Sequence, residues 1–123
     1  MLDVYLATPY SHEDKAMEQL RYDLALEIVC WLMNTRKLKV LSPIVYSHNI
    51  ALRGGGGSDW EAWKNFDEEL IKFCREVWVA NLDGWRTSKG IVAEVLCAQR
   101  IGTPVKYYDV KNDKLYDSAD GVD

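Results

Sequence analysis

The 123-residue sequence has few of the residues that build metal sites or disulfide frameworks. It contains two histidines and three cysteines, and Cys30, Cys74 and Cys97 lie far apart in apolar segments. An odd number of widely spaced cysteines favours reduced thiols that pack as small hydrophobic side chains. His12 and His48 alone do not make a zinc site. We therefore expect no metal, no disulfide and no cofactor.

Long apolar runs and an excess of positive charge are also missing. No run approaches the roughly 18 apolar residues that span a bilayer, and the first residues lack the pattern of a signal peptide. The net charge of −4 argues against a basic surface for duplex nucleic acid. We expect a cytoplasmic protein that binds neither membrane nor duplex nucleic acid. A small anionic ligand stays compatible with this charge, because backbone amides at a helix start can hold an anion.

Apolar residues, by contrast, are plentiful enough for one hydrophobic core. The hydrophobic content is 48%, which at this length predicts a single domain over residues 1–110. Residues 111–123, with the sequence KNDKLYDSADGVD, form a polar and acidic tail. We expect the last residues of this tail to be disordered.

Strand-like and helix-like patterns alternate along the chain. Helices are expected from the SHED capping pattern at Ser11–Asp14 to about Asn34, over SDWEAWKNFDEELIKFC, and from Ser88 to Ile101. Buried strands are expected at LDVYLA (2–7), KLKVLSP (37–43), EVWVANL (76–82) and VKYYDV (105–110). This order predicts a three-layer α/β fold of the Rossmann or flavodoxin type, with a four- to five-stranded, mainly parallel sheet.

A long connection is expected between Pro43 and Trp60. Its four consecutive glycines, Gly54 to Gly57, predict a mobile loop of the kind that often forms a lid, with Ser58 or Asp59 capping the next helix. Ligands of parallel sheets bind at the carboxyl ends of the strands. That rule selects three segments: Thr8 to Ser11, Pro43 to Trp60, and Leu82 to Lys89.

One carboxylate stands in an otherwise apolar helix. On a helical projection Glu94 lies about 130° from the solvent-facing stripe of Lys89 and Arg100, on the flank of the buried face. A buried carboxylate costs several kcal/mol unless it is hydrogen-bonded or neutralised. The spacing leaves two explanations open: a functional role, or a salt bridge at a helix edge that reaches water.

Other polar residues near the strand ends also have two interpretations. Ser88 opens the helix of Glu94 as a cap, and a capping hydroxyl beside free amides is also a phosphate site. In the TPYSH segment, Ser11 is a good cap and Tyr10 is either a surface aromatic or part of a site. A surface position is the favoured interpretation of His48, which also lies near the predicted rim.

Three segments together resemble one enzyme family. They are VYLATPYSH, an acidic residue opening the approach to the third strand, and DGWRTSKGIVAEVLCAQRIGTPV, with its Ser-x5-Glu spacing and Gly-x-Pro-Val ending. Between Leu2 and about Tyr108 the chain resembles the nucleoside 2-deoxyribosyltransferase family, which includes the deoxynucleoside 5′-monophosphate N-glycosidases. It is closest in character to small members that share PYSH and GWR-x-S-x-GI.

The resemblance implies cleavage or transfer of the N-glycosidic bond of a 2′-deoxyribonucleotide or 2′-deoxynucleoside. Glu94 matches the nucleophile that attacks C1′ and forms a glycosyl ester, and Tyr5 matches the tyrosine that positions it. Asp67 is the best match to an aspartate that handles the base or its proton. Ser88 matches the phosphate-binding serine of the monophosphate-cleaving branch. The implied substrate-binding residues are Thr8, Pro9, Tyr10, Ser11, His48, Asp83, Gly84, Ser88 and Gly90.

The chain also departs from the family pattern. ATPYSH lacks the Gly-Ser-x-Arg kind of phosphate loop, and Leu96 stands where a glycine is common. A non-catalytic nucleotide-binding or sensing module is therefore an alternative, as is a structural protein with a degenerate pocket. The family implies a homo-oligomer, either a dimer or a tetramer. Trp60, Trp63 and Trp85 suit a core, an interface or stacking on a base.

Overall fold

The computed structural model describes residues 1–55 and 60–123, apart from the side chains of residues 60–62. Its strands are β1 (Leu2–Ala7), β2 (Val40–Leu41), β3 (Cys74–Ala80), β4 (Val105–Asp109) and β5 (Lys114–Tyr116). Its helices are α1 (Lys15–Thr35), α2 (Pro43–Leu52), α3 (Trp60–Ile71) and α4 (Lys89–Ile101), followed by a 3-10 turn at Ala119–Gly121. The sheet order is β2-β1-β3-β4-β5, and only β5 is antiparallel to its neighbour.

Alternating side chains of the strands build two apolar layers. On one face Val4 and Leu6 pack with Ile28 and Leu32 of α1. On the other face Tyr5 and Ala7 belong to a cluster that includes residues of α3 and α4, among them Ile71, Ile91, Cys97 and Ala98. Successive residues of a strand point to opposite faces, so the strand pattern explains both layers. The predicted three-layer, Rossmann/flavodoxin-like fold is confirmed.

The strand order places a switch point at β1 and β3. The chain moves from β1 to β2 on one side and then returns to pair β3 on the other side of β1, with Tyr5 opposite Val77. The loops that leave the carboxyl ends of β1 and β3 therefore diverge. A crevice at this position is the usual ligand site of open parallel sheets.

The predicted long connection after Pro43 is wrong, because α2 occupies most of it. Ser42 caps this helix by accepting a hydrogen bond from the amide of Val45 at 3.2 Å, and Pro43 takes the first helical position, which suits its fixed φ. The predicted glycine loop and the predicted cap at Ser58 or Asp59 fall largely on residues 56–59, which lie outside the described residues.

The expected disorder of the last residues is also wrong. β5 pairs with β4, and the 3-10 turn that follows brings Val122 into the core. Arg86 donates hydrogen bonds to the carbonyl oxygens of Ala119 and Val122, which fastens the chain end beside the β3–α4 turn. Antiparallel pairing with the preceding strand β4 explains an ordered end that its polar composition does not reveal.

Smaller differences concern the ends and the surface of α1. Asp14, and not Ser11, caps α1, since its side chain accepts a hydrogen bond from the amide of Ala16 at 2.9 Å. Cys30 is exposed on α1, whereas Cys74 and Cys97 are buried thiols as expected. No helix within the described residues is both long enough and apolar enough to cross a membrane.

Candidate functional site

A cavity of about 710 Å³ lies beyond the carboxyl ends of β1 and β3. Its walls come from the β1–α1 loop, the first two turns of α1, one face of α2, the middle of α3, the β3–α4 turn and the first half of α4. The residues that line it are Thr8, Tyr10, Ser11, His12, Arg21, Pro43, Ile44, Ser47, Ala51, Trp63, Asp67, Gly84, Thr87, Ser88, Lys89, Gly90 and Glu94. This size suits a ligand as large as a nucleotide.

Glu94 and Tyr5 form a buried pair at the inner wall of the cavity. The hydroxyl of Tyr5 donates a hydrogen bond to Oε2 of Glu94, which is only 5% exposed. Oε1 of Glu94 accepts no hydrogen bond from the part of the chain that the structure describes. Tyr5 is fixed by its position in the middle of β1, so its hydroxyl holds the carboxyl group in one orientation. One oxygen of Glu94 is thus positioned and the other is left for a ligand.

Asp67 supplies a second buried carboxyl group to the same cavity. Its side chain leaves α3, is 7% exposed, and its Oδ1 atom is buried without a hydrogen-bond partner among the described residues. Trp63 lies one turn earlier on α3 and lines the cavity beside it. A buried oxygen without a donor costs free energy that a ligand or a proton can recover.

Burial shifts the protonation of both carboxyl groups. It raises the pKa of Asp67 to about 7. Burial also raises the pKa of Glu94 to about 8, with the Tyr5 hydrogen bond opposing this rise and the charge of Asp67 adding to it. Burial and the charge of Glu94 raise the pKa of Tyr5 well above its usual range, so Tyr5 remains a donor. Between about pH 7 and pH 8 the two carboxyl groups therefore hold roughly one proton between them.

The start of α4 forms the outer wall of the cavity. Ser88 caps the helix, since its hydroxyl accepts a hydrogen bond from the amide of Ile91 at 3.2 Å. The amides of Lys89 and Gly90 have no acceptor within the helix, and they carry the positive end of its dipole. This wall can hold a negative charge about one helical turn from Glu94.

The structure gathers most of the sequence-predicted site residues but not all of them. Pro9 and Asp83 do not line the cavity, and Tyr5 reaches it only through Glu94. Trp85 is buried in the core. The predicted binding residues that do line the cavity are Thr8, Tyr10, Ser11, Gly84, Ser88 and Gly90.

The surface position expected for His48 is wrong. His48 is 3% exposed because α2 turns it inward, and the ring of Tyr22 stacks on it at 4.3 Å between centroids. Its Nδ1 atom lies 2.6 Å from the hydroxyl of Tyr10, and its Nε2 atom lies 3.1 Å from Oε1 of Gln19. With Nε2–H donating to Gln19, Nδ1 accepts from Tyr10. His48 thus holds a residue of the cavity wall from behind.

Sequence reasoning missed Arg21, which also lines the cavity. Its Nη1 atom donates to the carbonyl oxygens of Tyr10 and Ser11, at 3.4 and 3.0 Å. Nothing in the local sequence marks this arginine, because it meets the cavity only when α1 packs beside the β3–α4 turn. The close approach of Arg21 to Gly84 identifies its position, and this approach can be seen only in the folded structure.

A family model described as Domain of unknown function (DUF1937) matches residues 2–110. The chain belongs to this family. No curated protein matches the chain. The DUF1937 match runs from β1 to the end of β4, so it includes each segment that lines the cavity and leaves out β5.

Proposed function

We propose that this protein cleaves or transfers the N-glycosidic bond of a 2′-deoxyribonucleotide or 2′-deoxynucleoside through a glutamyl-deoxyribosyl intermediate. The observation that carries the proposal is Glu94, a buried carboxyl group held by Tyr5 at the inner wall of a nucleotide-sized cavity. A second carboxyl group, Asp67, faces the same space. Enzymes that cleave glycosidic bonds usually use two carboxyl groups whose environments differ.

The reaction assigns a role to each of these groups. The bond between C1′ and the base nitrogen breaks with its electron pair leaving on the base, and positive charge develops on the sugar ring. The Glu94 carboxylate stabilises this charge and then bonds to C1′ through its free oxygen. Asp67 donates a proton to the departing base. It then removes a proton from the water or acceptor base that attacks C1′ and releases Glu94.

The productive state has Glu94 ionised and Asp67 protonated. The pKa of about 8 for Glu94 and about 7 for Asp67 put the singly protonated pair between these two values, with the proton mainly on Glu94, so the productive arrangement is the minor form of that pair. The Tyr5 hydrogen bond favours the ionised form of Glu94 within that pair. The rate of base release is therefore expected to follow a bell-shaped pH profile with its maximum between about pH 7 and pH 8.

A non-catalytic nucleotide-binding module is a second candidate that one observation favours. At pH 7 the raised pKa keeps much of Glu94 protonated. A protonated carboxyl group can donate a hydrogen bond to a sugar hydroxyl without forming an ester. This candidate predicts stabilisation of the protein by nucleotides without release of base.

Trapping the intermediate tests the enzyme proposal directly. Wild type and Glu94→Gln are incubated with deoxynucleosides, their 5′-monophosphates and 2′-fluoro-arabinosyl analogues, with and without an acceptor base. We expect free base from wild type only, and a mass adduct that maps to Glu94. In Asp67→Asn, an analogue whose leaving group needs no proton is expected to react nearly as fast as with wild type. Failure of the whole panel to release base or form an adduct would contradict the proposal.

Exposed apolar side chains on α4 support a homo-oligomer. Val92 and Leu96 lie one turn apart and are about half exposed. Contact between two copies of this face would bury both side chains. Light scattering is expected to show a dimer or tetramer for wild type and a smaller species for Leu96→Arg. A monomeric wild type would contradict this.

A further inference from the structure

We propose that Arg21 anchors a phosphate monoester on the substrate, in the part of the cavity between α1 and the start of α4. The inference rests on the proposed function only for the identity of the sugar that carries the phosphate. The site itself is inferred from the donors and the packing of the described residues.

Arg21 has donors that the protein does not use. Its Nη1 atom is fully occupied by the carbonyl oxygens of Tyr10 and Ser11, which fix the guanidinium group to the β1–α1 loop. Its Nε atom is buried without an acceptor among the described residues. Nη2 lies against Gly84 and makes no hydrogen bond within residues 1–55 and 60–123. Nε and Nη2 share one edge of the guanidinium group, the fork that matches two oxygens of a phosphate.

The charge of Arg21 is also uncompensated. No carboxylate in the described part of the chain lies within ion-pair distance of it. A half-buried cation without a counter-ion is unfavourable, so an anionic ligand is favoured at this place. Lys89, which also lines the cavity, adds a second positive charge at the same end.

Gly84 makes room for the guanidinium group beside the β3–α4 turn. A Cβ atom at residue 84 would lie 2.7 Å from Nη2 of Arg21, and the φ angle of +88° is one that other residues rarely adopt. The carbonyl of Gly84 accepts from the amide and the hydroxyl of Thr87, which ties the turn to the start of α4. Arg21 and the first turn of α4 therefore belong to one wall.

Two further donors complete the site. The first-turn amides of α4 have no acceptor within this 13-residue helix. Thr8 is 4% exposed, lines the cavity, and its hydroxyl has no hydrogen-bond partner among the described residues. Thr8 is thus a second buried polar group that lacks an acceptor or donor until a ligand arrives.

The distance from this site to Glu94 fits one sugar ring. Gly90 and Glu94 are four residues apart on α4, which is about 6 Å along the helix axis. A phosphate at the 5′ position and the C1′ carbon of the same sugar are separated by a comparable span. The ATPYSH loop carries no arginine of its own, so α1 provides the positive charge instead.

Binding of 2-deoxyribose 5-phosphate, with 2-deoxyribose as the uncharged control, tests the inference without any turnover. We expect the phosphorylated sugar alone to stabilise wild type in calorimetry and thermal unfolding. Arg21→Gln should weaken its binding about 10- to 100-fold, the effect of losing a charged two-point hydrogen bond. Arg36→Gln is the matched control, because Arg36 is a second arginine of the α1 region and pairs with Asp113 outside the cavity.

Arg21→Lys is a second variant in case Arg21→Gln fails to fold. It keeps the positive charge but lacks the two parallel N–H donors of the guanidinium group. It is expected to bind the phosphorylated sugar about tenfold more weakly than wild type. Equal binding of both sugars, or equal affinity in all variants, overturns the inference. Base release from nucleosides and monophosphates at equal rates, equally affected by Arg21→Gln, overturns it and leaves the proposed function intact. Arg21-dependent binding without any base release supports the inference and contradicts the proposed function.

Discussion

Two tyrosine–carboxylate pairs lie on opposite faces of the sheet. Tyr5 donates to Glu94 on the α4 face, and Tyr108 donates to Asp113 at 2.5 Å on the α1 face. Both tyrosines are buried in strands, and both hydroxyl groups hold one carboxylate oxygen. The hydrogen bond is therefore the same in the two places.

The surroundings of the two carboxyl groups differ, and their pKa values shift in opposite directions. Asp113 has a side chain that is 38% exposed, and Arg36 lies 3.0 Å from it. The Tyr108 hydrogen bond, with help from Arg36, lowers the pKa of Asp113. Glu94 is buried and has no cation within ion-pair distance in the described part of the chain, so burial dominates and its pKa rises to about 8. Burial without a cation, and not the tyrosine contact, distinguishes the candidate nucleophile.

The largest expected difference between the two pairs appears in the rate of base release when the charge of each carboxyl group is removed. If the proposed function holds, Glu94→Gln should lower the rate of base release at least about 10,000-fold, as loss of the nucleophile does in covalent enzymes. Asp113→Asn removes the same charge from the Tyr108–Asp113 pair and should leave the rate within about twofold. Release of base is measured by chromatography under single-turnover conditions. Comparable losses in the two variants would contradict the distinction between the pairs.

The free energy of unfolding should depend on pH through the Tyr5–Glu94 pair. The pKa of Glu94 is about 8 in the folded state and near 4.5 when unfolded. A raised pKa stabilises the fold below the unfolded value, and this contribution disappears as the pH rises through about 8. The side chain of Glu94→Gln cannot ionise. The variant should therefore gain stability relative to wild type as the pH rises, and the difference in their free energies of unfolding should change by about 4 kcal/mol between pH 5 and pH 8.5. Urea unfolding at both pH values measures this, and an unchanged difference would contradict a buried Glu94 that has no cation beside it.

The fold could be predicted from the sequence wherever local patterns were strong. The bounds of β1 were predicted correctly, and α4 was predicted to within one residue, with Ser88 as its cap. α2 was missed because PIVYSHNIAL is apolar on several sides and shows no helical period, although Ser42 and Pro43 mark a helix start. β5 was missed because it depends on pairing with β4, which local composition does not report.

The site could be predicted only in part, for a similar reason. Glu94 stood out because a carboxylate is unusual in an apolar helix, and its partner Tyr5 lies 89 residues away. Arg21 and His48 gain their positions from helix packing, so their local sequence is uninformative. A residue of an unusual type for its segment could be recognised in the sequence, and a residue that reaches the cavity only through helix packing could not.

A smaller effect is expected from the tyrosines. The Tyr5 hydrogen bond lowers the pKa of Glu94 against the effect of burial. Tyr5→Phe should therefore raise that pKa, move the falling limb of the pH profile to higher pH, and reduce kcat/KM at pH 7 about tenfold because less Glu94 is ionised there. Tyr108→Phe removes the same atom from the other face and should leave the profile in place. A profile that moves equally in both variants would indicate a general loss of structure.

The smallest expected effect is the contribution of the Tyr108–Asp113 pair to the free energy of unfolding. The lowered pKa of Asp113 stabilises the fold above the unfolded value near 3.8, and this contribution is lost as the pH falls through the folded pKa. Because the pair is exposed to solvent, Asp113→Asn should cost less than about 1 kcal/mol at pH 7. Urea unfolding from pH 7 down to pH 3 should show this difference shrinking toward zero, whereas the difference for Glu94→Gln grows as the pH rises. The same trend with pH in both variants would mean that the two carboxyl groups share one environment, which their burial and their cations argue against.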